Sequence, residues 1–283
     1  DQAVSRGLGD VYKRQGGLGN ITNRMAEIAT DLGVDIRLET SVEELLLDGK
    51  KVLGVRTNHG DILCDKVVMN ADFANAMTTL VPNRKRRKWS DEKLAKKSYS
   101  CSTYMLYLGT DRTWDQPHHQ IYASSEYESN LEDITKHRIT WEDPSVYVQN
   151  ACVTDPSLAP EGCSTLYVLV PVPNVHDSIN WNEIKDDFRE VVLDQMEKMG
   201  YEDVRNHIVS ESMVTPDDWG SSDIYRGAVF NLAHGLDQML FLRPRNKFEE
   251  LPGLYLVGGG THPGSGLPTV SYTHLRAHET LLD

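Results

Sequence analysis

The feature that most constrains this chain is a short apolar stretch, Leu254-Tyr255-Leu256-Val257, that runs into Gly258-Gly259-Gly260-Thr261-His262-Pro263-Gly264-Ser265-Gly266-Leu267-Pro268. Five glycines in nine residues directly after a strand let the main chain approach a ligand closely. A helix N-terminus behind such a loop would offer free N–H groups to an acceptor. The pattern points to binding of a phosphate, a ribityl chain or the edge of a flavin ring; a Gly-rich turn that holds nothing is the plainer alternative. No Gly-Lys-Ser/Thr follows, so the loop is not a P-loop. Nor is it the GxSxG elbow of hydrolases, because Pro263 stands where that motif needs glycine two residues before Ser265.

Composition narrows the class further. A net charge of -13, from 29 Lys+Arg against 42 Asp+Glu, argues against a general nucleic-acid binder, whose phosphate contacts need a basic face. No apolar run reaches the roughly 18 to 20 residues of a membrane-spanning helix, which leaves peripheral attachment open. The four cysteines, Cys64, Cys101, Cys152 and Cys163, are widely spaced without a CxxC pair. They indicate neither a disulfide framework nor a zinc site, and a reducing, cytoplasmic setting is expected. No metal site is expected.

Periodicity predicts a helix over Asn23–Gly33, with Met25, Ile28 and Leu32 on one stripe and Gly33 as its stop. Alternation then predicts strands at Val34–Glu39, Val42–Leu47 and Lys51–Thr57, a turn at Asn58-His59-Gly60-Asp61, and a buried strand over Cys64–Met69 ending at Asn70-Ala71-Asp72. Four Tyr-, Val- and Thr-rich stretches, Tyr99–Leu108, Gln120–Ser124, Ser145–Val153 and Thr165–Val172, read as an antiparallel sheet. Asn180 with Glu183 three residues on resembles a capping box, and opens a helix with Ile184, Phe188, Val191, Met196 and Met199 as its core stripe and Gly200 as its end.

Two further signals carry alternatives. Gly17-Leu18-Gly19-Asn20-Ile21-Thr22 is a near miss to the dinucleotide fingerprint, with Glu39 at about the ~20-residue spacing of a ribose contact. It lacks the third glycine and a testable preceding strand. The basic run Asn83–Lys88 (NRKRRK) reads first as a solvated face and second as a contact for anionic lipid head groups.

Several stretches together resemble one family. YLVGGGTHPGSGLPTV is similar to the C-terminal FAD-binding motif of bacterial-type phytoene desaturases. The segment Ser100–Gly109, YVQNACVTDPSLAPEG (Tyr147–Gly162), LYVLVPVPN (Leu166–Asn174) and YRGAVFNLAHGLDQM (Tyr225–Met239) resemble the same family. The resemblance covers essentially all of residues 16–269. The two ends, SRGLGDVYKRQ (Ser5–Gln15) and VSYTHLRAHET (Val270–Thr280), instead resemble a transposon-type sequencing adaptor read through as codons. Residues 1–15 and 270–283 are therefore set aside from fold reasoning, and with them Gly7-Leu8-Gly9 and the His274/His278 pair.

The resemblance implies an α/β fold with α+β elements: a partial FAD-binding, Rossmann-like domain with an inserted substrate domain built on an antiparallel sheet with helices. Family members begin with a strand, a GxGxxG loop and a helix that nothing here supplies, so a middle and C-terminal portion of about half the enzyme is expected, inactive by itself. The implied division is 16–73 for part of the FAD domain, 74–251 for the substrate domain and 252–269 for the C-terminal FAD segment. Val42 would lie near the adenine; Gly259, Gly260, Thr261, His262, Pro263, Gly264, Gly266 and Leu267 would line the flavin. The implied reaction is desaturation of a lipophilic, phytoene-like polyene on a cytoplasmic, peripherally membrane-associated protein. Lys/Arg of the Arg84–Lys88 run or the apolar Leu236–Leu242 stretch would supply the membrane contact. Asp217, His234 and His262 are acid–base candidates by residue type only, and no catalytic residue is assigned. Alternatives within the class are a C30 desaturase, a carotenoid isomerase and a retinol-saturase-like reductase. The alternative of another class is a non-catalytic prenyl- or lipid-binding chaperone of the same fold, which would have no need of the His-Pro-Gly-Ser-Gly loop.

Overall fold

A computed structural model describes residues 18–266 of the protein. Helix α1, Leu18–Asp31, ends where Gly33 takes a φ of +85° and Val34 N–H reaches back to the Ala29 carbonyl at 3.0 Å, a left-handed helix stop that glycine adopts without strain. Its apolar stripe packs on nothing among the described residues: Met25 is 66% exposed, Ile28 46% and Leu32 78%. The expected strand over Val34–Glu39 does not form. Val34, Ile36 and Leu38 all face solvent, because no neighbouring strand among the described residues takes up their backbone groups.

A three-stranded antiparallel meander follows: β1 (Val42–Asp48), β2 (Lys51–Thr57) and β3 (Gly60–Leu63). The expected strand over Cys64–Met69 shrinks to β4, Val67–Met69, with Cys64 exposed and Val68 only half-buried. Asp72 then caps helix α2 (Phe73–Leu80) by accepting the Asn75 N–H at 2.9 Å. The basic run forms a tight turn, Asn83–Lys85, before helix α3 (Asp91–Ala95). It is not a uniformly solvated face. Arg86 is 1% exposed, donates to the carbonyls of Val81 and Trp89, and pairs with Asp91 at 2.5 Å.

The middle of the chain builds β5 (Ser102–Thr110), β6 (His119–Tyr122), helix α4 (Tyr127–Thr135), β7 (Val146–Asn150), β8 (Ser164–Val172), helix α5 (Trp181–Lys198), the short α6 (Val204–His207) and β9 (Ile208–Val214). The strands form one antiparallel sheet in the order β6-β7-β8-β5-β9. Strand β9 was not expected from sequence, since Ser210-Glu211-Ser212 breaks the apolar pattern of an edge strand that, among the described residues, pairs with β5 alone. Helix α5 starts at Asn180, whose side chain accepts the Asn182 N–H at 3.2 Å and donates to the Glu183 carboxylate at 2.7 Å. Its Phe188, Val192 and Met196 close one face of the sheet against Tyr104, Leu106 and Val168. Helix α7 (Pro216–Ser221) carries a full Thr215/Asp218 capping box, and β10 (Leu254–Leu256) ends the described elements.

Two cores result. One lies between the five-stranded sheet and α5. The other gathers Leu45, Val52 and Met69 with Phe73 and Met77 of α2, and with Trp89, Leu94, Leu232, Phe248, Leu251, Leu254 and Leu256.

Candidate functional site

The second core delivers the glycine loop. Strand β10 lies parallel to β4, with Leu254 opposite Val67 and Leu256 opposite Met69. The pairing continues at both ends through Val67 N–H to Gly253 O at 2.8 Å and Val257 N–H to Met69 O at 3.1 Å. Parallel strands of this kind are buried and open their C-terminal ends toward a ligand crevice. Here those ends are Asn70-Ala71-Asp72, leading into α2, and Gly258, leading into the loop.

The loop demands its glycines. Gly258 takes a φ of +96° with Asn70 Oδ1 2.9 Å from where a Cβ would sit. A Cβ on Gly260 would stand 2.6 Å from Asn231 Oδ1 and 2.9 Å from Phe73 Cβ. Gly264 and Gly266 adopt φ of +143° and +121°, in the range that favours glycine. Thr261 is buried, donating through its hydroxyl to Gly258 O at 2.9 Å, and Asn246 donates to Leu256 O at 3.1 Å beside it.

A second stretch, Leu232–Arg243, wraps this loop. Just before it, Asn231 Oδ1 accepts Phe73 N–H at 3.2 Å, fixing the start of α2 to this stretch. His234 Nε2 lies 3.0 Å from Ser265 Oγ and accepts the Ser265 N–H at 3.3 Å. Burial, and then the nearby Arg243 charge, hold its imidazole below the usual histidine range. His262 donates its backbone N–H to Pro244 O at 2.8 Å, and its ring stacks on Phe241 with centroids 5.8 Å apart. Its Nδ1 is buried and meets no hydrogen-bond partner among the described residues. Gln238 is buried and bridges Ser98 and Ala233, while Leu236, Leu240, Phe241 and Leu242 point outward. A cavity of about 350 Å³ opens beside Ala233, lined by Tyr99, Ser100, Cys101, His137, Asn174 and Arg226.

The structure thus gathers Gly259, Gly260, Thr261, His262, Pro263, Gly264 and Gly266 with His234. Leu267 lies outside the described residues, as do Gly17 and both adaptor-like ends. Val42 stands at the start of β1 opposite Thr57, in the meander and not in the loop. Asp217 sits in the first turn of α7, where burial and then Asp218 raise its carboxyl. Sequence reasoning missed Asn231, Gln238 and Arg243: the spacing of polar residues in this irregular stretch does not reveal which of them turn inward. Among the described residues no cluster of side chains suits a metal ion. No helix of the described residues is long and apolar enough to cross a membrane.

Comparison with known proteins agrees with this geometry. The family described as flavin containing amine oxidoreductase matches residues 1–271. A 4,4'-diapophytoene desaturase from Methylomonas sp is 45% identical over 92% of the chain and 52% of its own length. An all-trans-zeta-carotene desaturase from Myxococcus xanthus is 42% identical over 92% of the chain and 50% of its own length. The chain spans about half the length of the curated relatives it matches. Among solved structures, an oxidoreductase from Methanosarcina mazei has a TM-score of 0.55 at 16% identity, covering 93% of the chain and 54% of its own. A putrescine oxidase double mutant has a TM-score of 0.55 at 13% identity, covering 95% and 53%. These two show a shared fold, the mixed helix-and-sheet arrangement with a Rossmann-like layer. The chain belongs to the flavin-containing amine oxidoreductase family.

Proposed function

We propose that this chain is the middle and C-terminal portion of an FAD-dependent carotenoid desaturase that introduces conjugated double bonds into a phytoene-like polyene. The observation that carries the reading is the 45% identity to a 4,4'-diapophytoene desaturase across 92% of the chain, read together with a glycine loop set at the end of a parallel strand pair. The division is 16–73 and 252–269 for the FAD domain and 74–251 for the substrate domain, with Trp89, Leu232 and Phe248 packed at the seam.

The residues present fit the cofactor. The buried His262 Nδ1, a polar atom without a partner among the described residues, lies in a loop whose glycines let backbone come close to a ligand. Gly259, Gly260, Thr261, His262, Pro263, Gly264, Gly266 and Leu267 would hold the flavin end, and Val42 the adenine side. When bound, the flavin supplies the acceptor for a hydride leaving an allylic carbon. The protein's own part is orientation and dryness. Phe241 stacks on the His262 ring, and burial disfavours the charged form of His234, whose Nε2 lies 3.0 Å from Ser265 Oγ.

A polyene without solubility in water must be met at a lipid surface. The exposed Leu236, Leu240, Phe241 and Leu242 fit that contact better than the basic run, whose Arg86 is buried and whose Lys88 pairs with Glu249. A cytoplasmic, peripherally membrane-associated protein is the matching location.

The full-length protein expressed in cells that accumulate phytoene tests the reading through extracted pigments and protein-bound flavin. Red or yellow desaturated products with bound FAD are expected. Unchanged phytoene with flavin present would narrow the reading to a C30 desaturase if the diapophytoene analogue is desaturated instead, and would overturn it in favour of a carotenoid isomerase or a retinol-saturase-like reductase if neither is; absence of flavin would favour a lipid-binding chaperone of the same fold.

A further inference from the structure

Arg243 is 0% exposed. Its guanidinium donates to three backbone carbonyls, Ala233 at 3.2 Å, Leu232 at 3.0 Å and Gly259 at 3.1 Å, while its Nε has no partner among the described residues. Among the described residues no carboxylate offsets it, and burial pushes its proton affinity down from the usual arginine range. A guanidinium keeps its proton in proteins, so this is a permanent buried cation. Arg86, also buried, shows the ordinary solution, since it meets Asp91 at 2.5 Å. Buried charges are otherwise paired, because their desolvation is expensive. Arg243 therefore stands out as a positive charge placed under Gly259 of the glycine loop with its negative partner still to come.

We propose that the flavin itself supplies that partner, and that Arg243 stabilises the reduced, negatively charged form of the cofactor. This rests on the flavoenzyme reading of the loop. The balance is simple. Desaturation removes a hydride from one carbon and a proton from its neighbour; the hydride carries two electrons and one proton onto neutral oxidised flavin, the proton goes to solvent, and the flavin is left with one net negative charge. A fixed, water-excluded cation beside the loop favours that state and needs no rearrangement when the charge develops. Arg243 is thus a positioning and electrostatic residue, acting on the cofactor's potential through the loop that its own hydrogen bond holds.

The test is a spectroscopic redox titration of the full-length, flavin-loaded protein, comparing wild type with Arg243→Met, Arg243→Lys and, as a buried-arginine control, Arg86→Met. For Arg243→Met the ratio of reduced to oxidised flavin at a fixed potential is expected to fall at least tenfold, about 30 mV for a two-electron couple. Arg243→Lys, which keeps the charge, retains most of the wild-type potential, and Arg86→Met leaves it unmoved. An unchanged potential in Arg243→Met with flavin bound overturns the proposal. So does an equal weakening of both redox forms, which would assign the charge to the diphosphate. If Arg243→Met does not fold, the wild type still decides: its reduced flavin must stay anionic at pH values where free reduced flavin takes up a proton, and a neutral reduced form refutes the idea. A wild-type protein that binds no flavin refutes the flavoenzyme reading as a whole, an outcome distinct from these.

Discussion

The two cores of this molecule are finished to different degrees. In the sheet region, α5 covers one face of five hydrogen-bonded strands, and Tyr104, Trp181 and Phe188 interlock as a closed aromatic cluster. Among the described residues the parallel layer that carries the glycine loop consists of two strands, β4 and β10, and elsewhere the apolar stripe of α1 faces solvent. A chain segment whose contacts are mostly to itself can complete its core locally; one whose strands are parallel depends on neighbours brought from elsewhere. The difference matches a chain that spans about half the length of its relatives.

The comparison is open to attack at both ends. The largest effect is expected in the closed region: Phe188→Ala, which removes a 1% exposed ring packed on Tyr104 and Trp181, should lower stability by about 3–5 kcal/mol in chemical denaturation of the full-length protein. A loss below one kcal/mol would show that this core is loose. In the loop region, Gly260→Ala forces a Cβ against Asn231 Oδ1 and Phe73, and should cost about 1–3 kcal/mol together with reduced flavin retention. Wild-type flavin content in that variant would remove Gly260 from the site.

How much of this was legible beforehand divides along the same line. The antiparallel strands and α5 were readable because alternation, a helical stripe and the Asn180 and Gly200 boundaries all agree with the packing. The glycine loop was readable because positive φ and close backbone approach leave few residues other than glycine. What was not readable depends on partners distant in sequence. Val34–Glu39 alternates like a strand but finds no neighbour among the described residues, β9 pairs in spite of its polar residues, and the buried states of Arg86, Gln238 and Arg243 follow from the surrounding chain. Polar residues carry no mark in the sequence of the side they will face.

Smaller effects sharpen the contrast. Thr215→Ala removes the capping box that starts α7 beneath β5 and should lower stability by about 1 kcal/mol, seen as a shift of the denaturation midpoint at unchanged slope. Asp143 ties the edge of the sheet to α5. Burial pushes its carboxyl up, but hydrogen bonds from Tyr122, the Ser125 N–H and hydroxyl, and Gln195 outweigh this and hold it at about 2. Its folded pKa is below the unfolded value, so its stabilisation is complete above the unfolded pKa of about 4 and is lost as pH falls through about 2. Asp143→Asn should flatten that acid limb, and an unchanged limb would place the acid sensitivity elsewhere. Smallest of all, Ile28→Glu on α1 should change the stability of this 283-residue chain by no more than about 0.5 kcal/mol, since the side chain is 46% exposed. A large loss would mean that the stripe is already covered.

The pairing of β4 with β10 also sets an order of events. Val67–Met69 and Leu254–Leu256 are adjacent in space yet far apart in sequence, with the whole five-stranded sheet between them. Contacts of such long range carry a loop-closure entropy that is lightened only once the intervening chain has become compact. During synthesis the sheet region can therefore settle before β10 is made, and the glycine loop is seated after it. The seating of Gly258–Gly266 at the end of that strand pair is thereby made to wait on the folding of the chain between the two strands.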